Sequence, residues 1–483
     1  MAVIALFSIV ALKLAFALST GLGNDESYAI VTGRTLALSY FDHPPMAWWL
    51  GHVSALLFGS EASLAVRAPF LVLSTISTIL MYLLTARLFT RRSGVVAALL
   101  MFCAPVLGIT SASWILPDGP LIAALLAGAL VLSHLFFDRN NSGWLWLVAG
   151  LFGGLALLSK YHGVFFFAGT GLFLLTSRSD RHWLRSPWPY AGVAVAIIIA
   201  SPVVVWNMQN QWISLAFQAD RADSGALHPW MPLGVIGGVS LFLAPWIWVG
   251  LIIETTRTLS PRTRTRQSWF LFCLAIGPIV AFPAIALWSS SQPFFHWAAP
   301  GYLMLFPILA DSIIRSWRVK PSCRYLLYGS VAAVLIALAT VITLSLVPTS
   351  AGAFKSNSDP LAELSSWTDL DRYFSAHAID PTRYTFVLAD TWHAAGKIGY
   401  ALGPGWPVAC LGADCRGLAV THEETRHLGE DAIIVVQAGN DTTASSRIGA
   451  AFARLDRLPP LDIQHKGAEV TKVDIYIGRN FRR

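Results

Sequence analysis

The chain has 483 residues, 55% of them hydrophobic and only 13% charged, with a mean hydropathy of +0.58, so water is excluded as its main solvent. A net charge of +7 does not point to nucleic acid, because the basic residues sit in short loops between apolar runs instead of forming one patch. Five cysteines, three of them in or beside apolar segments, exclude a disulfide-built scaffold or a zinc ribbon, and only Cys410 and Cys415 are placed to pair.

Residues 1–20 form an apolar run that holds Lys13 and is followed by no clear small-residue cleavage site, which predicts a retained first span near 3–20. Further runs approach the roughly 20 residues that cross a bilayer. They fall near 64–86, 94–112, 119–137, 144–158, 163–177, 189–206, 231–253, 269–288, 298–314 and 325–347, about eleven spans in all. The runs at 144–158 and 163–177 are short and separated only by Ser159, Lys160, Tyr161 and His162, so this pair also reads as a tilted or re-entrant hairpin. Nineteen tryptophans fit belts at the two membrane surfaces.

Cytoplasmic loops retain positive charge. One set of loops holds Arg87, Arg91, Arg92 and Arg139, then Arg178, Arg181 and Arg185, then Arg257, Arg262, Arg264 and Arg266, and finally Arg315, Arg318, Lys320 and Arg324. The other set holds little beyond Arg34, Arg67, Lys160 and Arg221. The bias places the loops at 21–63, 112–118, 207–230 and 289–297, and with them the C-terminal tail, outside. From Pro348 onward the apolar runs shrink to strand length, as at 385–389 and 432–436, with a helical stretch near 393–402 between them. This predicts a membrane domain over 1–347 and a small soluble α/β domain over 348–483.

Charged residues at the outer ends of spans are costly to place and therefore informative. The first outer loop opens with Asn24-Asp25-Glu26-Ser27-Tyr28 and continues to Phe41-Asp42-His43-Pro44-Pro45. Paired acids beyond a span, followed by a rigid turn, suit a base or a cation site at the membrane surface; a helix cap and a solvated loop would use the same residues. Asp118, in Pro117-Asp118-Gly119-Pro120, either caps the following helix or converges with Asp25 at the same membrane level. Lys160 either snorkels to headgroups or meets a phosphate. His296, in Phe295-His296-Trp297, equally fits an aromatic belt.

Together these elements, with Ser159-Lys160-Tyr161-His162-Gly163 and with His296-Trp297 leading into Pro300-Gly301-Tyr302, resemble the bacterial GT-C glycosyltransferases. Those are integral-membrane relatives of protein O-mannosyltransferases and of the lipid A aminoarabinose transferase. The branch with galacturonosyl transferases of lipopolysaccharide core and lipid A is the nearer likeness. The resemblance covers about residues 20–310 and, more loosely, Phe386-Val387-Leu388-Ala389-Asp390 in the tail.

The resemblance implies a polytopic α-helical membrane protein of GT-C type with a small C-terminal periplasmic α/β domain, in a bacterial inner membrane with its active site on the periplasmic face. Its implied partners are a polyprenyl-phosphate sugar donor, a lipid or glycan acceptor and membrane lipid, with no nucleic acid. Asp25 matches the acid that serves the acceptor hydroxyl, with Glu26 beside it and Asp118 a second acidic position. Asp42 and His43 fall near the donor phosphate, where aminoarabinose transferases favour a lysine before the prolines and this chain has His43. Lys160 and His162 are expected at the same phosphate, and Tyr28, Arg34 and His296 at the substrate. No cofactor is implied, although Asp25, Asp42, His43 and Asp118 are also a set able to hold a divalent cation.

The alternative class is a transporter or flippase of a lipid-linked precursor. It would place polar residues and broken helices at the bilayer midplane, often in two inverted halves, whereas the charges here lie at the outer edge and no repeat is visible. A non-catalytic assembly or sensor protein would not need acids and bases gathered from separate loops on one side.

Overall fold

The computed structural model describes residues 2–138, 142–222, 225–289, 295–319, 321–346, 363–420, 427–438, 448–465 and 468–482. The expected domain boundary at 347/348 lies outside the described residues.

Among them, five helices are long and apolar enough to cross a membrane: Ser63–Leu88, Asp118–Phe137, Trp188–Gln209, Arg266–Ile285 and Pro321–Leu344. Three further pairs pass the same test only if each bent pair is counted as one span, which gives up to eight where about eleven were expected. Local chemistry explains the difference. The run at 94–112 stops as a helix at Cys103, because Ala104 precedes Pro105 and is pushed into extended backbone, φ −89°, ψ 108°. The run at 231–253 divides into Met231–Phe242 and Pro245–Leu259, bent by 113°, with Ala244 in the left-handed region at φ 68°. The expected hairpin is a pair of short helices, Leu145–Ser159 and Val164–Thr176, with extended Lys160 at their joint.

Trp188–Gln209 exposes Ile197, Ile198, Val204 and Val205, and Pro321–Leu346 exposes Leu335 and Ile336. Such faces are stable against lipid and not against water.

The loop expected at 21–63 contains two helices, Asn24–Gly33 and Met46–Phe58. The first starts where the Glu26 carboxylate accepts the Gly23 N–H, at 2.8 Å, closing the N-terminal turn. The second follows Pro44-Pro45 and ends at Gly59, whose φ of +60° lets the chain turn off the helix.

Among the described residues of the tail, six strands form one sheet: β1 Phe386–Ala389, β2 Val408–Cys410, β3 Ala432–Gln437, β4 Phe452–Arg457, β5 Leu461–His465 and β6 Ala468–Phe481. The order is β2-β1-β3-β6-β4, with β5 also pairing β6. The β2-β1-β3 half is parallel and every pair made by β6 is antiparallel. β1 is buried on both faces, as a parallel strand covered on both sides must be. The helix Trp392–Leu402 makes the β1-to-β2 crossover, and Thr391 caps it by accepting the Ala394 N–H. The expected strands and the helix between them are all present.

That crossover helix packs onto Asn24–Gly33, and two glycines permit the approach. A Cβ at Gly396 would stand 2.8 Å from the Tyr28 nitrogen and 2.9 Å from its Cα, and one at Gly399 would meet Val31. The buried Lys397 ammonium donates to the carbonyls of Leu22, Glu363 and Ser365, tying the helix to the turn before Asn24. Gly396→Val should therefore lift the tail from the membrane part and cost about 1–3 kcal/mol. A lower unfolding temperature in detergent and faster proteolysis within the tail would show it; an unchanged protein would refute the close packing.

Candidate active site

The site is built outward from a buried ion pair. Arg67 and Glu26 are both fully buried. The guanidinium donates from Nε and Nη2 to the two Glu26 oxygens, and also to the carbonyls of Ala17, Thr20 and Gly21. Glu26 accepts the Ile115 N–H as well, at 3.1 Å. Every lone pair of this carboxylate is thus committed to holding three segments together. Glu26, expected as a catalytic neighbour, has no face open to a substrate, and it anchors the turn from which Asp25 projects with its side chain 57% exposed.

Asp42 is buried in the turn between the two short helices. Gln218 Nε2 donates to its backbone carbonyl at 2.6 Å, and the Tyr28 hydroxyl faces its Oδ1 at 3.4 Å. The Gly417 N–H donates to that same hydroxyl at 3.0 Å, so Tyr28 bridges the membrane part and the tail. Burial pushes the Asp42 carboxyl up to about 6 although Arg416 opposes the shift. A raised pKa means that the proton is retained to higher pH. The Asp42 charge, and its attraction for Arg416, should be lost as pH falls through about 6. If that contact matters, activity should decline below this pH, and Asp42→Asn should abolish that acid limb in a pH profile.

His43 is also buried, and burial, with Lys160 close by, holds its imidazole well below its ordinary value. Near neutral pH it is an uncharged ring, and its Nδ1 has no hydrogen-bond partner among the described residues. At the donor phosphate, where His43 is expected, such a ring would offer a neutral hydrogen-bonding nitrogen.

Asp118 and Lys160 meet directly. Lys160 Nζ lies 3.0 and 2.9 Å from the two Asp118 oxygens, and both are largely buried. The extended joint between the two short helices aims the ammonium inward, which a continuous helix would not do. Two of its three N–H groups serve Asp118, leaving a third. His162 stacks on Phe282 at 4.6 Å and meets Trp297 edge-on at 5.8 Å, and its Nε2 is buried without a partner among the described residues. His296 and His162 lie within electrostatic reach of Lys160 and Asp118.

Two arginines complete the cluster. Arg221, at the end of the helix Ile213–Ala222, lies 5.2 Å from the ring centroids of Phe217 and Trp297 and within electrostatic reach of Asp25 and Asp42. Arg416 comes from the tail. Its Nη1 is 3.5 Å from Asp42 Oδ2 and 4.0 Å from Asp25 Oδ1, and its guanidinium lies 3.6 Å from the Trp392 ring centroid. It follows Cys415, which forms a disulfide with Cys410.

The structure therefore gathers Asp25, Tyr28, Asp42, His43, Asp118, Lys160, His162 and His296 into one region. Arg34 is elsewhere: it pairs with Glu61 at 2.9 and 2.7 Å and donates to the Gly399 carbonyl, lining a separate groove with His52 and Tyr400. The sequence reading missed Arg416 and Trp392 altogether and counted Arg221 only as loop charge; the paired cysteines beside Arg416 were its one nearby signal. No group of three or more His, Cys, Asp or Glu placed to hold a metal occurs among the described residues, and Asp118, Asp42 and Asp25 each face a cation instead.

Carboxylates interleaved with cations around neutral imidazoles can orient a hydroxyl and receive a departing oxyanion in the same small volume. Comparison with known proteins bears on which reaction that is. Residues 42–206 match the family model described as dolichyl-phosphate-mannose-protein mannosyltransferase. The chain is 25% identical over 334 residues to the lipid A galacturonosyltransferase RgtD of Rhizobium johnstonii, covering 66% of each chain. It is also 25% identical over 269 residues to the undecaprenyl phosphate-alpha-4-amino-4-deoxy-L-arabinose arabinosyl transferase of Erwinia tasmaniensis, covering 52% of this chain and 47% of that one. Among solved structures, ArnT from Cupriavidus metallidurans in the apo state superposes with a TM-score of 0.65 at 15% identity, over 98% of this chain and 97% of the other.

By these matches the chain is similar to glycosyltransferases of GT-C type and has the fold of ArnT. Its alignments span about two thirds and about half the length of the two curated relatives. The segment matched by the family model begins at Asp42 and includes Asp118, Lys160 and His162, whereas Asp25 precedes it and Arg416 lies far beyond it. The same ArnT has also been solved bound to undecaprenyl phosphate, and that form superposes equally well, at 16% identity. The likeness to the ArnT fold covers 98% of this chain and so includes the tail sheet.

Proposed function

We propose that the protein is an inner-membrane glycosyltransferase that moves a sugar from a polyprenyl-phosphate carrier to an envelope glycolipid or glycan on the periplasmic face. Lipid A or lipopolysaccharide core is the acceptor class favoured, with galacturonic acid as the sugar. The relatives' names support the carrier and the acceptor, and the arginine bias of alternate loops supports the orientation. Residues 1–347 form the membrane catalytic domain in this reading, and 348–483 a periplasmic domain that closes over it.

The observation that carries the proposal is the exposed Asp25 carboxylate, held by a saturated Glu26–Arg67 anchor at the edge of a cation-bearing cluster. Asp25 accepts or orients the acceptor hydroxyl proton. That oxygen bonds to the anomeric carbon as the bond from this carbon to the phosphate oxygen breaks, and the electron pair leaves with the phosphate. In this reading Lys160, aimed by Asp118, and Arg221 stabilise the departing charge, and His43 and His162 offer neutral hydrogen bonds.

The test is transfer from radiolabelled polyprenyl-phosphate galacturonic acid, mannose and aminoarabinose into extracted lipopolysaccharide by purified protein and its Asp25→Asn variant. Incorporation of one sugar by the wild type alone is expected. No incorporation from any donor into any envelope fraction by folded protein would overturn the proposal in favour of lipid-linked transport.

A further inference from the structure

Arg416 is held less tightly by protein acids than Lys160 is. Lys160 is engaged by both oxygens of Asp118 at 3.0 Å or less. Arg416 approaches Asp42, Asp414 and Asp25 only at 3.5, 3.7 and 4.0 Å, longer than a charge-assisted hydrogen bond. Its Nε is buried and makes no hydrogen bond among the described residues. A guanidinium with five N–H groups is thus oriented from one face by the Trp392 ring while its donors stay largely uncommitted.

The backbone beneath it is unusual too. Arg416 has φ 45°, a left-handed conformation that costs a side-chain-bearing residue free energy and persists where the surroundings impose it. Those surroundings are the Cys410–Cys415 disulfide on one side and, on the other, Gly417, whose N–H is fixed on the Tyr28 hydroxyl and where a Cβ would stand 2.7 Å from that oxygen. A short covalent loop therefore delivers one arginine from the tail sheet to Asp25 and Asp42.

We propose that Arg416 binds an oxyanion of the donor, either the carrier phosphate or the carboxylate of a uronic sugar, so that the tail domain supplies part of the donor site. This rests on the transferase reading above. A donor oxyanion would replace the three long contacts to aspartate with shorter, paired N–H···O bonds, and the stacked, disulfide-held guanidinium pays little ordering entropy to make them.

The experiment uses the full chain in nanodiscs, with Arg416→Ala, Arg416→Lys and Cys415→Ser, and unfolding temperatures to confirm that each is folded. Undecaprenyl phosphate alone is the binding probe, and galacturonosyl and mannosyl polyprenyl phosphates are compared as donors. Losing a hydrogen-bonded charge should cost about ten- to a hundred-fold. A loss of that size in undecaprenyl phosphate binding by Arg416→Ala assigns the contact to the phosphate. Unchanged binding, with a rise of that size in KM for the galacturonosyl donor alone, assigns it to the sugar carboxylate. In either case Arg416→Lys should recover only part of the loss and Cys415→Ser should lose in the same direction. If wild type binds and transfers while Arg416→Ala matches it in both assays, the inference is overturned. If wild type neither binds undecaprenyl phosphate nor transfers any sugar, the transferase reading itself has failed.

Discussion

Replacing Asp25 with asparagine should lower the rate of sugar transfer by about a hundred- to ten-thousand-fold, the usual contribution of a positioned general base, while leaving the unfolding temperature unchanged. The amide keeps the size of the carboxylate and can still fill the first helical turn, but it cannot take a proton. Because Asp25 is more than half exposed and its nearest cation, Arg416, stands 4.0 Å away, little folding energy rests on its charge. The loss should therefore appear in kcat, with the binding of undecaprenyl phosphate largely retained. Near-normal kcat in Asp25→Asn would remove this residue from the chemistry and direct attention to Asp42, the buried carboxylate beside Arg416.

The neighbouring position should behave in the opposite way. Glu26→Ala leaves the fully buried Arg67 without its carboxylate, and breaking such a pair from one side costs about 3–5 kcal/mol. The carbonyls of Ala17, Thr20 and Gly21 remain as acceptors, which places the expected loss toward the lower end. It should be read as a lower unfolding temperature in detergent, with any remaining folded protein retaining part of its turnover. Glu26→Gln, which keeps the acceptor for the Gly23 N–H, should be milder. If Glu26→Ala unfolds at the wild-type temperature and loses only turnover, then Glu26 is a catalytic residue after all and the anchoring role is refuted. Two adjacent acids that look equivalent in the motif Asp25-Glu26 are thus separated by one pair of measurements.

That difference shows where local sequence stops being informative. The motif marks two acids after an apolar run, but which of them faces substrate depends on Arg67, 41 residues later in the chain. Long apolar helices are fewer among the described residues than apolar runs in the sequence for a related reason. Hydropathy registers apolar composition, whereas Pro105, Pro245 and the Lys160 joint act on the backbone, ending helices inside runs that remain apolar. The helices Asn24–Gly33 and Met46–Phe58 were missed because they are too short to register as spans, and the first is stabilised by a capping turn and by the tail helix packed on it.

Composition, apolar run length and the placement of arginines suffice for a helical membrane protein, because exposing so much apolar surface to water is prohibitive for any arrangement of these residues. The alternation of short apolar strands with one helix likewise suffices for the tail's α/β character, and five short motifs suffice for the likeness to GT-C enzymes. Each of these is a property of residues close together in the chain. The composition of the site is not. Tyr28 meets Gly417 across 389 residues and Asp42 meets Arg416 across 374, and these contacts exist because Gly396 and Gly399 let one tail helix lie against the helix that carries Asp25. Only the tertiary structure decided that Arg416 joins the site, that Arg34 leaves it, and that Lys160 arrives already paired with Asp118, since an ion pair depends on which charges packing brings within a few ångströms and not on their order in the sequence.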